Sequence, residues 1–82
     1  MTKVTVLYFG QSREISGSAE EEFTLSDGSS LPALISAIEE RHEKLRRFAK
    51  SMQVALNEEV AAGDERLKDG DTVALLPPVA GG

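Results

Sequence analysis

Apolar positions along this 82-residue chain follow two rhythms. Residues 2–9 hold β-branched and aromatic side chains with almost no breaker before Gly10, and residues 72–76 form a second nearly continuous apolar run. Runs of this kind predict well-buried strands, so the two are expected side by side and parallel at the centre of a sheet. Residues 20–25 read as a further strand, joined to the first as a hairpin through residues 11–19, where Gly17 and its flanking serines supply turn chemistry. Leu31, Leu34, Ile35 and Ile38 recur at the i, i+3, i+4, i+7 spacing of one helix face. Ser30 is the expected N-cap, its hydroxyl meeting first-turn amides, and Pro32 is tolerated because those amides lack helical partners.

A shorter helical turn is expected next, with Leu45 and Phe48 turned inward. Residues 53–57 predict a strand, Asn57, Glu58 and Glu59 a turn, and residues 60–62 a brief return strand. Lys68-Asp69-Gly70-Asp71 is a strong turn signal before the last strand, which Pro77-Pro78 ends. The order strand, strand, helix, two short strands, strand fits an α+β domain: a mixed sheet with one main helix across one face. Alternation along the strands then assigns the faces. Val4, Val6, Tyr8, Val73 and Leu75 point toward the helix, and Leu7, Phe9, Ala74 and Leu76 point away.

Composition narrows the function. A chain of this length supports one core, so residues 1–76 are expected to form the domain and residues 77–82 an extended tail. No stretch approaches the roughly 20 apolar residues of a membrane span, and the Thr2-Lys3 start is not a signal sequence, so a cytoplasmic location is expected. With no cysteine, the chain has no disulfide, thiolate metal site or cysteine nucleophile. A net charge of -5 opposes a phosphate backbone. The one basic cluster, Lys44, Arg46, Arg47 and Lys50, reads as a solvated helix face, so nucleic acid is not an expected partner.

Conventional catalytic equipment is missing. His42, the only histidine, is expected at the surface, where it favours a helix C-terminus rather than acting as a base. Asp69 and Asp71 lack the twelve-residue pattern of a calcium loop and read as turn formers, and no metal site is expected. The carboxylates of Glu20, Glu21, Glu22, Glu39, Glu40, Glu58 and Glu59 read as solvated edges, with no apolar pocket to raise a pKa.

The unusual segment is Pro77-Pro78-Val79-Ala80-Gly81-Gly82, free of charged side chains in a chain that is otherwise 28% charged. Two prolines favour an extended exit, and six extended residues reach about 20 Å. Gly81 and Gly82 have no Cβ and suit a narrow channel. A terminal carboxylate with a pKa of about 3.3–3.7 is ionised at neutral pH. It is a poor electrophile until another enzyme attaches a leaving group.

These residues resemble a known family, the small sulfur-carrying subunit of molybdopterin synthase (MoaD type), similar in fold to ubiquitin and to the sulfur carrier of thiazole synthesis. The resemblance rests on Val6-Leu7-Tyr8-Phe9-Gly10-Gln11 with Arg13-Glu14, Ala55-Leu56-Asn57-Glu58, Leu67-Lys68-Asp69-Gly70-Asp71 with Val73-Ala74, and the Pro-Pro-Val-x-Gly-Gly ending. It implies a ubiquitin-like β-grasp fold. It also implies that an E1-like enzyme uses ATP and Mg²⁺ to adenylate Gly82, and that sulfur from a donor protein then replaces AMP as a C-terminal thiocarboxylate. The domain itself would bind no cofactor. Residues Pro77, Pro78, Val79, Ala80 and Gly81 would carry Gly82 into the large synthase subunit, in a heterotetramer of two small and two large subunits. There the sulfur converts cyclic pyranopterin monophosphate into molybdopterin, with the catalytic side chains on the large subunit.

The family adds Val60 to the outward residues Phe9, Ala74 and Leu76 as an expected partner interface at the root of the tail. Alternatives share the glycine-tipped tail: a carrier for thiazole synthesis or tRNA thiolation, or a ubiquitin-like modifier whose Gly82 ends in an isopeptide. A passive β-grasp binding module would make no use of the tail.

Overall fold

The computed structural model describes residues 1–47, 52–61 and 63–76. The two continuous apolar runs become β1 (Thr2–Tyr8) and β5 (Thr72–Leu76), paired in parallel with Val6 opposite Val73 and Leu7 opposite Ala74. Three shorter strands complete the sheet: β2 (Glu20–Leu25), β3 (Gln53–Leu56) and β4 (Glu59–Val60). The order is β2-β1-β5-β3-β4, and every pairing except β1 with β5 is antiparallel. With α2 (Leu31–Arg41) across one face, this is the mixed α+β sheet of the ubiquitin-like β-grasp fold.

The faces divide as strand alternation requires. Val4, Val6, Tyr8, Val73 and Leu75 are buried against Leu31, Leu34 and Ile38 of α2. Leu45, on a 3-10 turn at Glu43–Arg47, closes the same core, and the exposed Lys44, Arg46 and Arg47 form a solvated face beside it. Phe48 and Lys50 lie outside the described residues, as does Ala62. Asp69 and Asp71 do form the turn before β5: Asp69 accepts the Lys3 amide at 2.8 Å, and Asp71 accepts that of Lys68 at 2.8 Å.

Three expectations need correction. The β1–β2 connection is not a simple hairpin turn but holds a short helix, α1 (Gln11–Ser16). Gly10 starts it at φ 58°, ψ -129°, a region open to glycine, and Gly17 ends it in the left-handed region. Second, Ser30 is the N-cap of α2 but makes no side-chain capping bond. Other groups meet the first-turn amides. That of Leu31 donates to the Glu65 carbonyl at 2.8 Å, that of Ala33 to the Ser30 carbonyl at 3.1 Å, and Pro32 has none.

Third, His42 ends α2 but is not a surface residue. Its side chain is 15% exposed, and its Nε2 lies 2.6 Å from Glu21 Oε1. The Tyr8 hydroxyl donates to the same oxygen at 2.7 Å, and the Tyr8 ring meets the imidazole edge-on. A carboxylate only accepts, so Nε2 carries the proton. Arg41 stacks 4.0 Å above the Phe23 ring centroid and lies 3.7 Å from Glu21 Oε2. Glu21 is therefore a half-buried clamp between the β1–β2 pair and the end of α2, not a solvated edge.

Burial acts most strongly on Glu21 and would raise its pKa, yet hydrogen bonds from Tyr8 and His42, with the charges of His42 and Arg41, together hold it below the ordinary 4.5. Burial and the same carboxylate push the Tyr8 phenol up, so it remains a donor. A depressed folded-state pKa stabilises above the unfolded value and is lost as pH falls through the folded one. Glu21→Gln should cost about 1–2 kcal/mol at neutral pH. In urea unfolding at a series of pH values, that difference should shrink below about pH 4.5, where the wild-type carboxylate starts to protonate.

Candidate functional site

The outward face of the sheet is built by register. Leu7 pairs with Glu20 on one side and Ala74 on the other, Ala74 with Ala55, and Ala55 with Val60, so these five side chains form one row across the sheet. One row nearer the end of β5, Leu76 pairs with Gln53. Phe9 follows directly on the last residue of β1. It is 44% exposed, as expected for a residue facing away from the helix.

Ser12, only 1% exposed, sets the position of Phe9. Its hydroxyl donates to the Phe9 carbonyl at 2.8 Å, accepts the Phe9 amide at 3.0 Å and lies 3.3 Å from the Leu75 carbonyl. The start of α1 thus ties Phe9 to the end of β5. The strand pattern did not single out Ser12, because a serine within an expected turn reads as turn chemistry. Its only sequence signal is its place two residues after Gly10.

Phe9, Leu7, Ala74 and Leu76 line a concavity of about 580 Å³, together with Ala55 and with Asn57, Glu58 and Thr72 as its polar residues. Phe9, Ala74 and Leu76 are thus brought together as the sequence suggests. Leu7, which alternation placed on this face, lines the same concavity. Val60 is 71% exposed but does not line it. It lies on the edge strand and contributes to a separate depression beside Pro32 and Ala61. Pro77, Pro78, Val79, Ala80, Gly81 and Gly82 lie outside the described residues, and the described chain reaches Leu76 at the concavity.

Among the described residues, no group of three or more His, Cys, Asp or Glu side chains is arranged to hold a metal ion. Every buried side-chain nitrogen and oxygen there has a hydrogen-bond partner. No helix is long and apolar enough to cross a membrane. The chemistry this surface offers is recognition: a partly exposed aromatic and three aliphatic side chains beside the last residue before the uncharged ending.

Fold and face together define a ubiquitin-like β-grasp protein with a partly exposed apolar concavity at the end of β5. A family model described as the ThiS family matches residues 6–82, and the chain belongs to that family. The molybdopterin synthase sulfur carrier subunit of Chlamydomonas reinhardtii is 40% identical over 98% of this chain and 99% of its own length. Among solved structures, the putative molybdopterin converting factor, subunit 1, of Pyrococcus furiosus is 37% identical with a TM-score of 0.88, covering 96% of this chain and 100% of that one. A chain in the complex of subunits 1 and 2 of the molybdopterin-converting factor of Helicobacter pylori is 30% identical, with a TM-score of 0.73 over 99% of this chain and 100% of that one.

Proposed function

We propose that this chain is the sulfur carrier subunit of a molybdopterin synthase, with Gly82 as its working residue. One observation carries the reading: the apolar concavity of Phe9, Leu7, Ala74 and Leu76 lies at the point from which the chain runs on to an uncharged, glycine-tipped end. The full-length likeness to sulfur carrier subunits supports it. So does the Helicobacter pylori complex, in which a protein of this shape is joined to a second subunit.

In this reading the Gly82 carboxylate attacks the α-phosphorus of ATP on an E1-like enzyme, releasing pyrophosphate and forming an acyl adenylate. The terminal sulfur of a donor-protein persulfide displaces AMP to give an acyl disulfide, and a thiol then cleaves its S–S bond, leaving the thiocarboxylate and a disulfide between that thiol and the donor. The concavity then seats the domain on the large synthase subunit, in an assembly of two small and two large subunits, while residues 77–82 carry the sulfur to cyclic pyranopterin monophosphate. Each delivery returns a carboxylate, and two build the dithiolene. No side chain of the described domain takes part in the chemistry.

The test is reconstitution of the thiocarboxylated chain with a large subunit and the pterin precursor. Molybdopterin should form in proportion to thiocarboxylate consumed, and intact mass should show one terminal oxygen replaced by sulfur before transfer and restored after it. Absence of product with a competent large subunit, or accumulation of lysine-linked conjugates in place of the thiocarboxylate, would refute the assignment.

A further inference from the structure

Asn57 and Glu58 are the two-residue loop between β3 and β4, where Leu56 pairs with Glu59. Both have positive φ, 51° and 72°. Two-residue hairpin loops of this kind favour Asn followed by Gly, because only glycine takes the second position without a steric penalty on its Cβ. Asn57 has a local reason to be there. Its side chain accepts the Thr72 amide at 2.9 Å and donates to Asp71 Oδ1 at 3.0 Å, and its own amide donates to the Thr72 carbonyl at 2.8 Å.

Glu58 has none. It is exposed, and no hydrogen bond or ion pair to another described residue engages its carboxylate. It nevertheless holds a backbone conformation that is unfavourable for a residue with a Cβ, and it lines the concavity with Phe9 and Leu76. Strain that gains no contact among the described residues points to a use outside the domain. The electrostatics of the face agree in sign. Lys3 lies 4.0 Å from Glu22, so that carboxylate has a cation beside it, whereas Glu20, opposite Leu7 on the far flank, has no ion pair among the described residues. The apolar centre therefore has on each side a carboxylate with no ion pair among the described residues.

We propose that Glu58 determines partner specificity: its strained loop presents the carboxylate at the edge of the Phe9 and Leu76 concavity to pair with a lysine or arginine on the protein that receives the tail. The proposal rests on the sulfur-carrier reading above and adds the chemistry of the receiving surface, an apolar centre with a basic residue at its edge. A charge at such a position acts on association rate and salt dependence more than on burial.

The experiment combines calorimetric titration of the full chain with the molybdopterin synthase large subunit of the same organism, at low and high salt, with thermal unfolding of the free chain. Glu58→Gly should raise the melting temperature by a few degrees, since it places the favoured residue in the loop, while weakening binding about tenfold at low salt. Glu58→Gln, which keeps the side-chain shape, should lose similar affinity with no gain in stability. Both variants should show a flatter salt dependence than the wild type. A Glu58→Gly chain that is more stable yet binds as tightly as wild type overturns the role of Glu58 alone. One that is less stable shows the loop is not strained and overturns the premise. If the wild-type chain does not bind the large subunit, the sulfur-carrier reading fails and the proposal fails with it.

Discussion

Deletion of Gly82 is expected to abolish adenylation and sulfur transfer completely while the melting temperature of the domain stays unchanged. The two halves of this expectation have separate causes. In the proposed mechanism the chemistry needs a carboxylate at the end of this particular reach, and without Gly82 the new terminus would fall one residue, about 3.5 Å, short of the phosphate it is proposed to attack. Stability, by contrast, is expected to hold, because the buried apolar residues of the described core run from Val4 to Leu75. Gly81→Val extends the test, because it keeps the carboxylate and the reach but adds a branched side chain next to the reacting end. Adenylation assayed by pyrophosphate release and transfer assayed by intact mass should both fall sharply in this variant, again with unchanged unfolding. A truncated chain that still accepts AMP would remove Gly82 from the mechanism.

The second large effect is expected at Phe9. Phe9→Ala should weaken binding to the large subunit by about 2 kcal/mol or more, roughly thirtyfold in Kd, as expected for an aromatic side chain at the centre of an interface. The domain should lose little stability, because Phe9 is 44% exposed and packs on the outward face rather than among Val6, Leu34 and Val73. The backbone bonds that Ser12 makes to Phe9 do not involve the Phe9 side chain and survive the substitution. Calorimetry and thermal unfolding on the one variant separate the possibilities. Unchanged affinity with a much lower melting temperature would place Phe9 in the core instead.

These two expectations differ in where they come from. The first rests on the sequence alone, because an uncharged Pro-Pro-Val-Ala-Gly-Gly ending contrasts with everything before it. The apolar concavity was legible in part. Alternation put Phe9, Ala74 and Leu76 on one face, and the continuous runs placed β1 beside β5, but only register brought Leu7 into line with Ala74 and set Val60 apart on the edge strand.

What the sequence determined by itself was whatever burial writes into one element at a time: the central strands β1 and β5 with their alternating buried positions, the apolar face of α2 at helical spacing, and the turn at Lys68 to Asp71. Periodicity carries this information because each side chain either meets the core or faces away from it, and its neighbours along the same element repeat the choice. Contacts between distant segments have no such period. Ser12 reaches Leu75 across 63 positions, Tyr8 meets Glu21 across 13, and His42 meets Glu21 across 21. Each polar group has an unremarkable local context, so the tertiary structure alone decided that α1 would pin Phe9, that Glu21 would join the end of α2 to the sheet, and that Glu58 would occupy a backbone conformation better suited to glycine.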